Sequence, residues 1–368
     1  MNKVELHHLL NKTSVACAPN AAFVTLIANE TYVDGALCLR RALLRVRSSC
    51  PIVLVVADPL PRDAMAALAA EYNSSNIHKL SDLRLRLDKY EQRQLARRVR
   101  EDEQGARRLQ QILPSPYDSI PRRLAGGSGG DAGAAVELRN TRQLHRAGGW
   151  AKRTHQKLLL FAMRGYSKLA FLDIDMLVTR NIDALLEQPA FAAVAALPYS
   201  TSSFNSGVFV FEPSLVTAAA LDDLSQRATF KALKKRGGGA IVADGEAASR
   251  QIRIKGAGER FQLTDQSILN HHYQGRWHAL PFGYNLGIKV RQVSPKMWSK
   301  MEVAIVHFVH RPKPWEATLA DPTSPISGLT RRLGIAPLVR AWRYRCAGEP
   351  KPTTTALSAQ DQLLFADT

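Results

Sequence analysis

Short apolar runs alternate with segments of helical periodicity in the first part of the chain. Residues 22–28 and 51–61 are apolar runs that predict buried strands, and residues 29–46 and 62–72 carry apolar side chains at helical spacing. Residues 76–80 predict a third strand. Strands and helices that alternate at such short distances predict βαβ units and a parallel sheet, in which ligands bind beyond the carboxyl ends of the strands.

The apolar run 169–172 also predicts a buried strand, and it ends in two acidic residues, Asp173 and Asp175, separated by Ile174. Because side chains alternate between the faces of a strand, the two carboxylates are expected to point the same way. They would repel each other unless a cation lay nearby, and Mn²⁺ or Mg²⁺ prefers such oxygen ligands and shares them with phosphates. The alternative is a polar turn in which both aspartates are solvated.

The later part of the chain continues with the same kinds of element. Residues 153–168 predict a helix, residues 191–199 a strand, and residues 204–214 a polar turn that runs into a strand. Further helices are predicted over residues 215–233 and 263–275.

Two segments and both ends of the chain depart from this pattern. Residues 83–148 and 234–260 are basic and partly of low complexity, which predicts insertions with limited order. Residues 1–20 predict a flexible arm, and the polar residues 346–368 predict a disordered tail. Residues 21–345 would then form one α/β domain, a size compatible with a single large core.

Composition narrows the class of protein further. The 368 residues are 45% hydrophobic, and no apolar stretch approaches the roughly 20 residues that cross a bilayer. The chain starts without the pattern of a secretory leader. Cys17, Cys38, Cys50 and Cys346 show no metal-ligand spacing, so we expect free thiols and a cytoplasmic location. The net charge of +18 suits nucleic acid, an anionic surface or a phosphorylated ligand.

Six stretches, in a single order across residues 23–315, resemble the glycogenin-like branch of glycosyltransferase family 8. They are FVTLIANETYVDGALCL, HQKLLLFAMRGYSKLAFLDIDMLVTRNID, FNSGVFVFEP, LTDQSILN, LPFGYNLG and VHFVHRPKPW. The resemblance implies the GT-A fold, a Rossmann-like domain whose mostly parallel sheet is flanked by helices. It also implies transfer of a hexose from a UDP-sugar, dependence on Mn²⁺ with Mg²⁺ as the alternative, and retention of the anomeric configuration.

The resemblance assigns the donor diphosphate to residues from three of these stretches. Asp173, Asp175 and His307 would hold Mn²⁺, a set of two carboxylates and an imidazole that suits this ion. Lys313 would meet the β-phosphate and Lys157 would contact the donor. In the alternative interpretation His307 is a core histidine and the lysines are solvated surface charges.

The resemblance assigns the uridine pocket to Leu26, Ala28, Asn29 and Tyr32, where the aromatic ring would stack on the base and the amide would read its polar edge. In the alternative interpretation the ring of Tyr32 only packs on the first helix.

The sugar is assigned to two other stretches. Asn205 and Ser206 match positions near the sugar hydroxyls, with Gly207 permitting close approach of the backbone. Asp265 and Gln266 match the pair beneath the anomeric carbon, and with Lys313 they form the predicted catalytic set. Asp265 could instead cap a helix, or do both.

The acceptor side is assigned to Asn285 and Gly287. A covalent route, with Asp265 as the candidate nucleophile, and front-face attack both remain open as ways to retain configuration.

Two features depart from the family pattern. His310 stands where this branch usually has glycine, which bears on how the diphosphate is bound. The residues between Asn285 and His307 include no tyrosine, whereas glycogenin's glucosylated tyrosine lies in that region. We therefore expect an external acceptor, such as a glycan, a small polyol or a protein, and no self-priming in that region.

The leading hypothesis is a hexosyltransferase that uses UDP-glucose or UDP-galactose, with a glucuronosyl donor as an alternative. The competing hypotheses are a polyanion-binding scaffold, which the charge of +18 and the Arg-rich insertion favour, and an inactive family member. A homodimer is a further partner hypothesis.

Overall fold

Twelve strands and eight α-helices make up the regular structure among the residues that this computed structural model describes. The described residues are 16–56, 60–83, 156–196, 200–235, 252–253, 260–261, 264–309, 313–316, 334–351 and 358–365. The strands are β1 (Ala21–Ile27), β2 (Ile52–Val56), β3 (Ile77–Lys79), β4 (Lys168–Leu172), β5 (Met176–Val178), β6 (Ala192–Ala195), β7 (Phe204–Phe211), β8 (Ile252–Arg253), β9 (Arg260–Phe261), β10 (His278–Ala279), β11 (Leu286–Gly287) and β12 (Ile305–His307).

The α-helices are α1 (Val33–Arg45), α2 (Arg62–Glu71), α3 (Leu215–Lys235), α4 (Asp265–His272), α5 (Lys289–Val293), α6 (Pro295–Trp298), α7 (Ala336–Trp342) and α8 (Ala359–Leu363). A π-helical turn, Arg343–Ala347, follows α7. The 3-10 turns are Glu30–Tyr32, Ser74–Asn76, Leu80–Leu83, Gln156–Ala162, Asp183–Glu187 and Phe282–Asn285.

Seven strands form the central sheet, in the order β10–β6–β7–β4–β1–β2–β3. Only β7 runs antiparallel to its neighbours, β4 and β6, and the other neighbouring pairs are parallel. The prediction of a mostly parallel α/β sheet is therefore confirmed. Every residue of β2 is buried, as expected for a parallel strand that is covered on both faces.

The two faces of the sheet are covered by different parts of the chain. Phe23 and Ile27 of β1 pack with residues of α1 in one apolar cluster. Ala22 and Val24, on the opposite face of the same strand, pack in a second cluster that includes Phe161. This alternation follows from the two-residue period of a strand. Both faces are thus covered, and in sheets of this kind ligands bind beyond the carboxyl ends of the strands.

A smaller sheet, in the order β11–β12–β5, lies next to that edge. The chain passes from β4 in the large sheet to β5 in the small one through residues 173–175. Strand β12 pairs antiparallel with β5, which sets His307 opposite Met176, and it pairs parallel with β11, which sets His307 opposite Gly287. The junction of the two sheets therefore brings His307 close to the acidic turn.

The C-terminal part of the chain is packed where the structure describes it, which corrects part of the prediction of a disordered tail over 346–368. Helix α8 is capped by Ser358, and Leu364 and Phe365 beyond it are buried in a third apolar cluster together with Val339 of α7. The apolar side chains of this short segment outweigh the polar composition around them.

The expectation of free thiols is wrong, because all four cysteines are paired. Cys17 is bonded to Cys50, and Cys38 of α1 is bonded to Cys346, with Cα–Cα distances of 5.0 and 4.5 Å. The bonded residues lie 33 and 308 positions apart, so their spacing in the sequence carries no signal of the pairing. Disulfides are rare in the reducing cytosol, and these two weigh against the cytoplasmic location that free thiols suggested.

Two other local predictions differ from the structure. The helix predicted over 153–168 is a 3-10 turn, Gln156–Ala162. The sequence predicted a polar turn at the start of residues 204–214, followed by a strand. There is no such turn at that point, because β7 begins at Phe204 and pairs with β6 from that residue. The predicted insertions lie almost entirely outside the described residues, except that α3 extends to residue 235 and that β8 pairs with β9.

Candidate active site

The two aspartates of the central motif lie in the turn between β4 and β5. The backbone N–H of Asp173 donates to the carbonyl of Gly207 at 2.8 Å, so the turn starts as a continuation of the β4–β7 pairing. Asp175 is 8% exposed, and the side chain of Asp173 is 30% exposed. Although the pair lies just beyond the strand, the two carboxylates converge.

Strand β12 brings His307 to this acidic pair. Its Nε2 lies 3.2 Å from Oδ1 of Asp175 and 3.8 Å from Oδ2 of Asp173. One ligand atom from each of the three residues lies within 4.8 Å of the other two. Two carboxylates and one imidazole nitrogen, close together at a sheet edge, fit a divalent cation such as Mn²⁺. The structure thus brings together the three predicted ligands, and their role as ligands remains a prediction.

Lys313 lies on the far side of Asp175. Its Nζ is 2.5 Å from Oδ2 of Asp175 and 2.7 Å from the carbonyl oxygen of Phe308. Burial alone would raise the pKa of Asp175, but the nearby His307 and Lys313 outweigh burial and hold that pKa below its usual value. Asp175 is therefore ionised and available as an anionic ligand.

Lys157, from the 3-10 turn Gln156–Ala162, connects the acidic pair to a third carboxylate. Its Nζ lies 3.2 Å from Asp173, 3.0 Å from Asp265 and 3.1 Å from the carbonyl oxygen of Ser206. Burial disfavours the ammonium form, yet the carboxylates of Asp173 and Asp265 outweigh burial and raise the pKa of Lys157. Burial also raises the pKa of Asp173 despite the opposing charge of Lys157.

Asp265 and Gln266 form the first residues of α4. Thr264 is the N-cap, because its side chain accepts from the backbone N–H of Ser267, so Asp265 is not needed as a cap. Oδ2 of Asp265 accepts from the hydroxyl of Ser206 at 2.9 Å. Oε1 of Gln266 accepts from Nδ2 of Asn205 at 3.1 Å and from the backbone N–H of Ser206 at 3.2 Å. The predicted sugar residues and the predicted catalytic pair are thus in direct contact.

Asn285 faces His307, whereas the sequence suggested the acceptor side. Its side chain is buried, and Oδ1 lies 2.7 Å from Nδ1 of His307. The 3-10 turn Phe282–Asn285 brings it there, because Gly283 packs so closely on the backbone of Glu302 that any side chain would collide. Gly287 lies opposite His307 in the small sheet and is only half-buried.

The predicted uridine residues lie along and just after the carboxyl end of β1. We call residues 28–32 the β1 loop. Its Asn29 accepts two hydrogen bonds from Thr31 and so caps the 3-10 turn that follows. The ring of Tyr32 packs edge-on against Trp315, with 5.9 Å between the centroids. Because β1 and β4 are parallel neighbours, this loop and the acidic turn lie at the same edge of the sheet.

Two further site residues predicted at that end are Leu26 and Ala28. Leu26 is half-buried against the core, and Ala28 begins the β1 loop. Binding of uridine by this group remains a prediction. His310 lies outside the described residues, as do residues 311–312.

Sequence reasoning missed the contribution of Gly35, in the first turn of α1. A Cβ atom at Gly35 would come within 2.7 Å of the carbonyl oxygen of Ile174 and within 2.9 Å of the ring of Trp315. The helix can therefore pack directly on the backbone of the acidic turn only because residue 35 has no side chain. The available signal was a glycine inside a helical pattern, where alanine would form the helix better.

Comparison with known proteins identifies the family. The model of glycosyl transferase family 8 matches residues 246–318. Glycogenin-1 of Mus musculus is 33% identical over 315 residues, which cover 83% of this chain and 68% of the mouse protein. The chain belongs to glycosyltransferase family 8. Glycogenin-1 of Homo sapiens, another member, is 27% identical over 314 residues, which cover 83% of this chain and 65% of the human protein.

Family 8 membership makes the protein a glycosyltransferase and confirms the predicted GT-A fold. The glycosyltransferase GlyE of Streptococcus pneumoniae has a TM-score of 0.46 at 13% identity, covering 93% of this chain and 63% of that one. The galactosyltransferase LgtC, solved with donor and acceptor sugar analogs, has a TM-score of 0.42 at 15% identity, covering 85% of this chain and 95% of that one. Because both TM-scores lie below 0.5, the family assignment depends on the sequence relatives alone.

Within the described part of this family 8 chain, no helix combines the length with the apolar character that crossing a bilayer requires.

Proposed function

We propose that this family 8 glycosyltransferase transfers a hexose from a UDP-sugar to an external acceptor, with retention and with Mn²⁺ as cofactor. UDP-glucose and UDP-galactose are the proposed donors, and Mg²⁺ is the alternative ion. The observation that carries the proposal is the convergence of Asp173, Asp175 and His307 at the carboxyl edge of the sheet, beside the buried Lys313 and the half-buried Lys157. Such a site suits a diphosphate held through a divalent cation.

Charge separation explains what these residues do. When the bond between the sugar and UDP breaks, negative charge grows on the diphosphate, and bound Mn²⁺ supplies Lewis-acid stabilisation of that charge. Among the described residues, the ammonium of Lys313 donates to Asp175 and to the carbonyl of Phe308, and its third N–H group is the one proposed for a phosphate oxygen. Lys313 is therefore the side chain proposed to hold the leaving group together with the ion.

Lys157 has a different proposed role. Its three N–H groups are matched by three acceptors, on Asp173, Asp265 and the carbonyl of Ser206. None is left over for a phosphate in this arrangement. We therefore infer that Lys157 positions the carboxylates of Asp173 and Asp265, so that the first faces the cation and the second faces the positive charge that grows on the sugar ring.

An external acceptor is proposed because the self-priming position is absent. No tyrosine occurs between Asn285 and His307, and the nearby Tyr284 is 1% exposed, so its hydroxyl is not accessible to a donor. Incubation of the purified chain with UDP-glucose and Mn²⁺ should leave the mass of the tryptic peptides from this region unchanged. A hexose added within them would contradict the proposal.

The function is tested by measuring UDP release from a panel of UDP-glucose, UDP-galactose and UDP-glucuronate, with Mn²⁺ and with EDTA. We expect release from one hexose donor, loss with EDTA, and loss of activity of at least about 10²-fold in Asp175→Asn. Asp63→Asn is the matched control, because Asp63 is an exposed residue of α2 away from the site. Release that persists in EDTA or in Asp175→Asn would contradict the proposed metal site.

A further inference from the structure

His307 is buried, with 3% of the residue exposed, and each of its two ring nitrogens lies close to a polar side-chain atom. Nε2 faces the acidic pair, at 3.2 Å from Asp175, and Nδ1 lies 2.7 Å from Oδ1 of Asn285. An imidazole that binds a metal through Nε2 must keep its proton on Nδ1, and this proton needs an acceptor. The position of the Asn285 carbonyl group therefore decides whether His307 can act as a ligand.

Two backbone N–H groups determine how the amides in this region are oriented. The N–H of Gly207 can only donate, and it points to Asn205 at 2.9 Å, so the atom of Asn205 it meets is the oxygen, Oδ1. Nδ2 of Asn285 lies 2.9 Å from the same oxygen, so this group of Asn285 must be its NH₂. The remaining atom of the Asn285 amide, the one at Nδ1 of His307, is then its oxygen.

The hydrogen bonds of Gln266, at the other end of this series of amides, assign the same amide orientations independently. The backbone N–H of Ser206 donates to Gln266 at 3.2 Å, which identifies Oε1 of Gln266 as the acceptor there. The Asn205 nitrogen Nδ2 donates to this oxygen at 3.1 Å. Reversing any one amide would set oxygen against oxygen or N–H against N–H. The two anchors, at Ser206 and Gly207, thus agree on one arrangement.

We propose that Asn285 is a positioning residue for the metal ligand His307, and that the series Gln266–Asn205–Asn285 fixes its tautomer. We call this series the amide relay. It extends from the residue pair predicted to lie beneath the sugar to the metal site, so the orientation of Gln266 and the tautomer of His307 are set by the same hydrogen bonds. This inference rests on the proposed metal site.

Gly207 leaves room for the amide relay. A Cβ atom there would collide with Cε1 of His307 and come within 2.7 Å of its Nδ1 and 2.8 Å of Oδ1 of Asn205. The ring therefore lies directly on the backbone of β7, where the Asn205 amide is also anchored. Outer partners of metal-bound histidines that fix the ring in this way typically change metal affinity about 10- to 100-fold.

The test measures binding of Mn²⁺ alone to the purified full-length chain, by electron paramagnetic resonance of the free ion. Asn285→Leu, which removes the acceptor, should weaken binding about 10- to 100-fold. Asn285→Asp keeps an acceptor oxygen at Nδ1 but sets its second oxygen against Oδ1 of Asn205, so it should weaken binding less than Asn285→Leu. Asn205→Leu, one link further away, should weaken binding less than Asn285→Leu.

A matched control separates loss of the amide relay from loss of stability. Asn181→Leu removes a half-buried amide that bonds to the carbonyl groups of Val46 and Arg47 and to Asp183, remote from the acidic turn. We expect this variant to lower the thermal midpoint while it leaves Mn²⁺ affinity unchanged. If Asn285→Leu and Asn285→Asp both bind Mn²⁺ like wild type, while His307→Ala binds weakly, the amide relay is wrong and the metal site stands.

A different result would point to the proposed function itself. If His307→Ala binds Mn²⁺ as tightly as wild type, the metal site is wrong and the inference falls with it. Nitrogen-15 spectroscopy of labelled histidine in the wild type, with diamagnetic Mg²⁺, gives an answer even if the Asn285 variants do not fold. A proton on Nδ1 of His307 supports the amide relay, and a proton on Nε2 overturns it.

Discussion

The two ends of the site are held together in different ways. We call Asp173, Asp175, His307, Lys157 and Lys313 the acidic cluster. In this cluster the contacts join parts of the chain that are far apart in sequence, and four of the five side chains are at most 12% exposed. In the β1 loop the polar contacts are local, as between Asn29, which is half-buried, and Thr31, which is exposed.

The contrast indicates two different ways of recognising a ligand. The charges of the acidic cluster are paired with one another, so a single substitution leaves another charge buried without compensation. The polar contacts of the β1 loop are local, and its long-range contact is the packing of the Tyr32 ring against Trp315. We therefore expect large effects from changes in the acidic cluster and small effects from changes in the loop.

The largest effect is expected from Lys157→Met, which removes the cation between Asp173 and Asp265 while keeping much of its volume. The two carboxylates would then face each other without compensation, and we expect activity to fall about 10²- to 10³-fold. The measurement is UDP release at saturating donor. Affinity for Mn²⁺ should fall as well, because Asp173 would lose the contact that positions it toward the ion.

The matched control for this prediction is Lys168→Met. Lys168 is the first residue of β4, the strand that leads to Asp173. Its Nζ donates to the carbonyl group of Gln188, away from the acidic cluster. Its loss should change neither UDP release nor Mn²⁺ affinity. Mn²⁺ affinity in Lys157→Met equal to that of the wild type would show that this lysine does not position Asp173, and the proposed role would be wrong.

The next effect in size is expected from Gly207→Ala. The added methyl group would overlap the ring of His307, and overpacking of this kind costs about 1–3 kcal/mol of unfolding free energy. Because the ring must move, Mn²⁺ affinity should fall as well. Denaturation with urea and titration of Mn²⁺ measure the two effects separately.

Gly287→Ala is the control, because Gly287 is paired with His307 in the small sheet but has space around it. The nearest atom to an added Cβ is a methyl group of Val309 at 3.9 Å. We expect less than about 1 kcal/mol of lost stability and unchanged Mn²⁺ binding. Equal effects of the two substitutions would show that crowding of the histidine ring is not what Gly207 prevents.

The same contrast explains how far the sequence could be interpreted. The strands β1, β2 and β4 were predictable because apolar runs of strand length are a local signal. Asp173 and Asp175 converge as predicted, but they lie in the turn after β4, so the two-residue period of a strand is not what directs them. The position of His307 depends on pairing between β5 and β12, more than a hundred residues apart, so only the family resemblance could suggest it.

Other features depend on contacts that no local pattern encodes. The role of Asn285 follows from amides on β7, α4 and a 3-10 turn that meet only after folding. Cys38 and Cys346 are joined by the packing of α1 against the C-terminal segment, at a separation of 308 residues. Leu364 and Phe365 were a local apolar signal, but the polar residues around them hid it.

The smallest effect is expected from Tyr32→Ala in the β1 loop. Stacking of a base on an aromatic ring is worth about 1–3 kcal/mol, and the edge-on packing of Tyr32 against Trp315 suggests the lower end of that range. We expect KM for the UDP-sugar to rise about tenfold, with kcat and Mn²⁺ affinity unchanged. Tyr32→Phe keeps the ring and should behave like wild type. If Tyr32→Ala lowers kcat as strongly as Lys157→Met, the β1 loop is as tightly coupled to the chemistry as the acidic cluster, and the contrast between them is wrong.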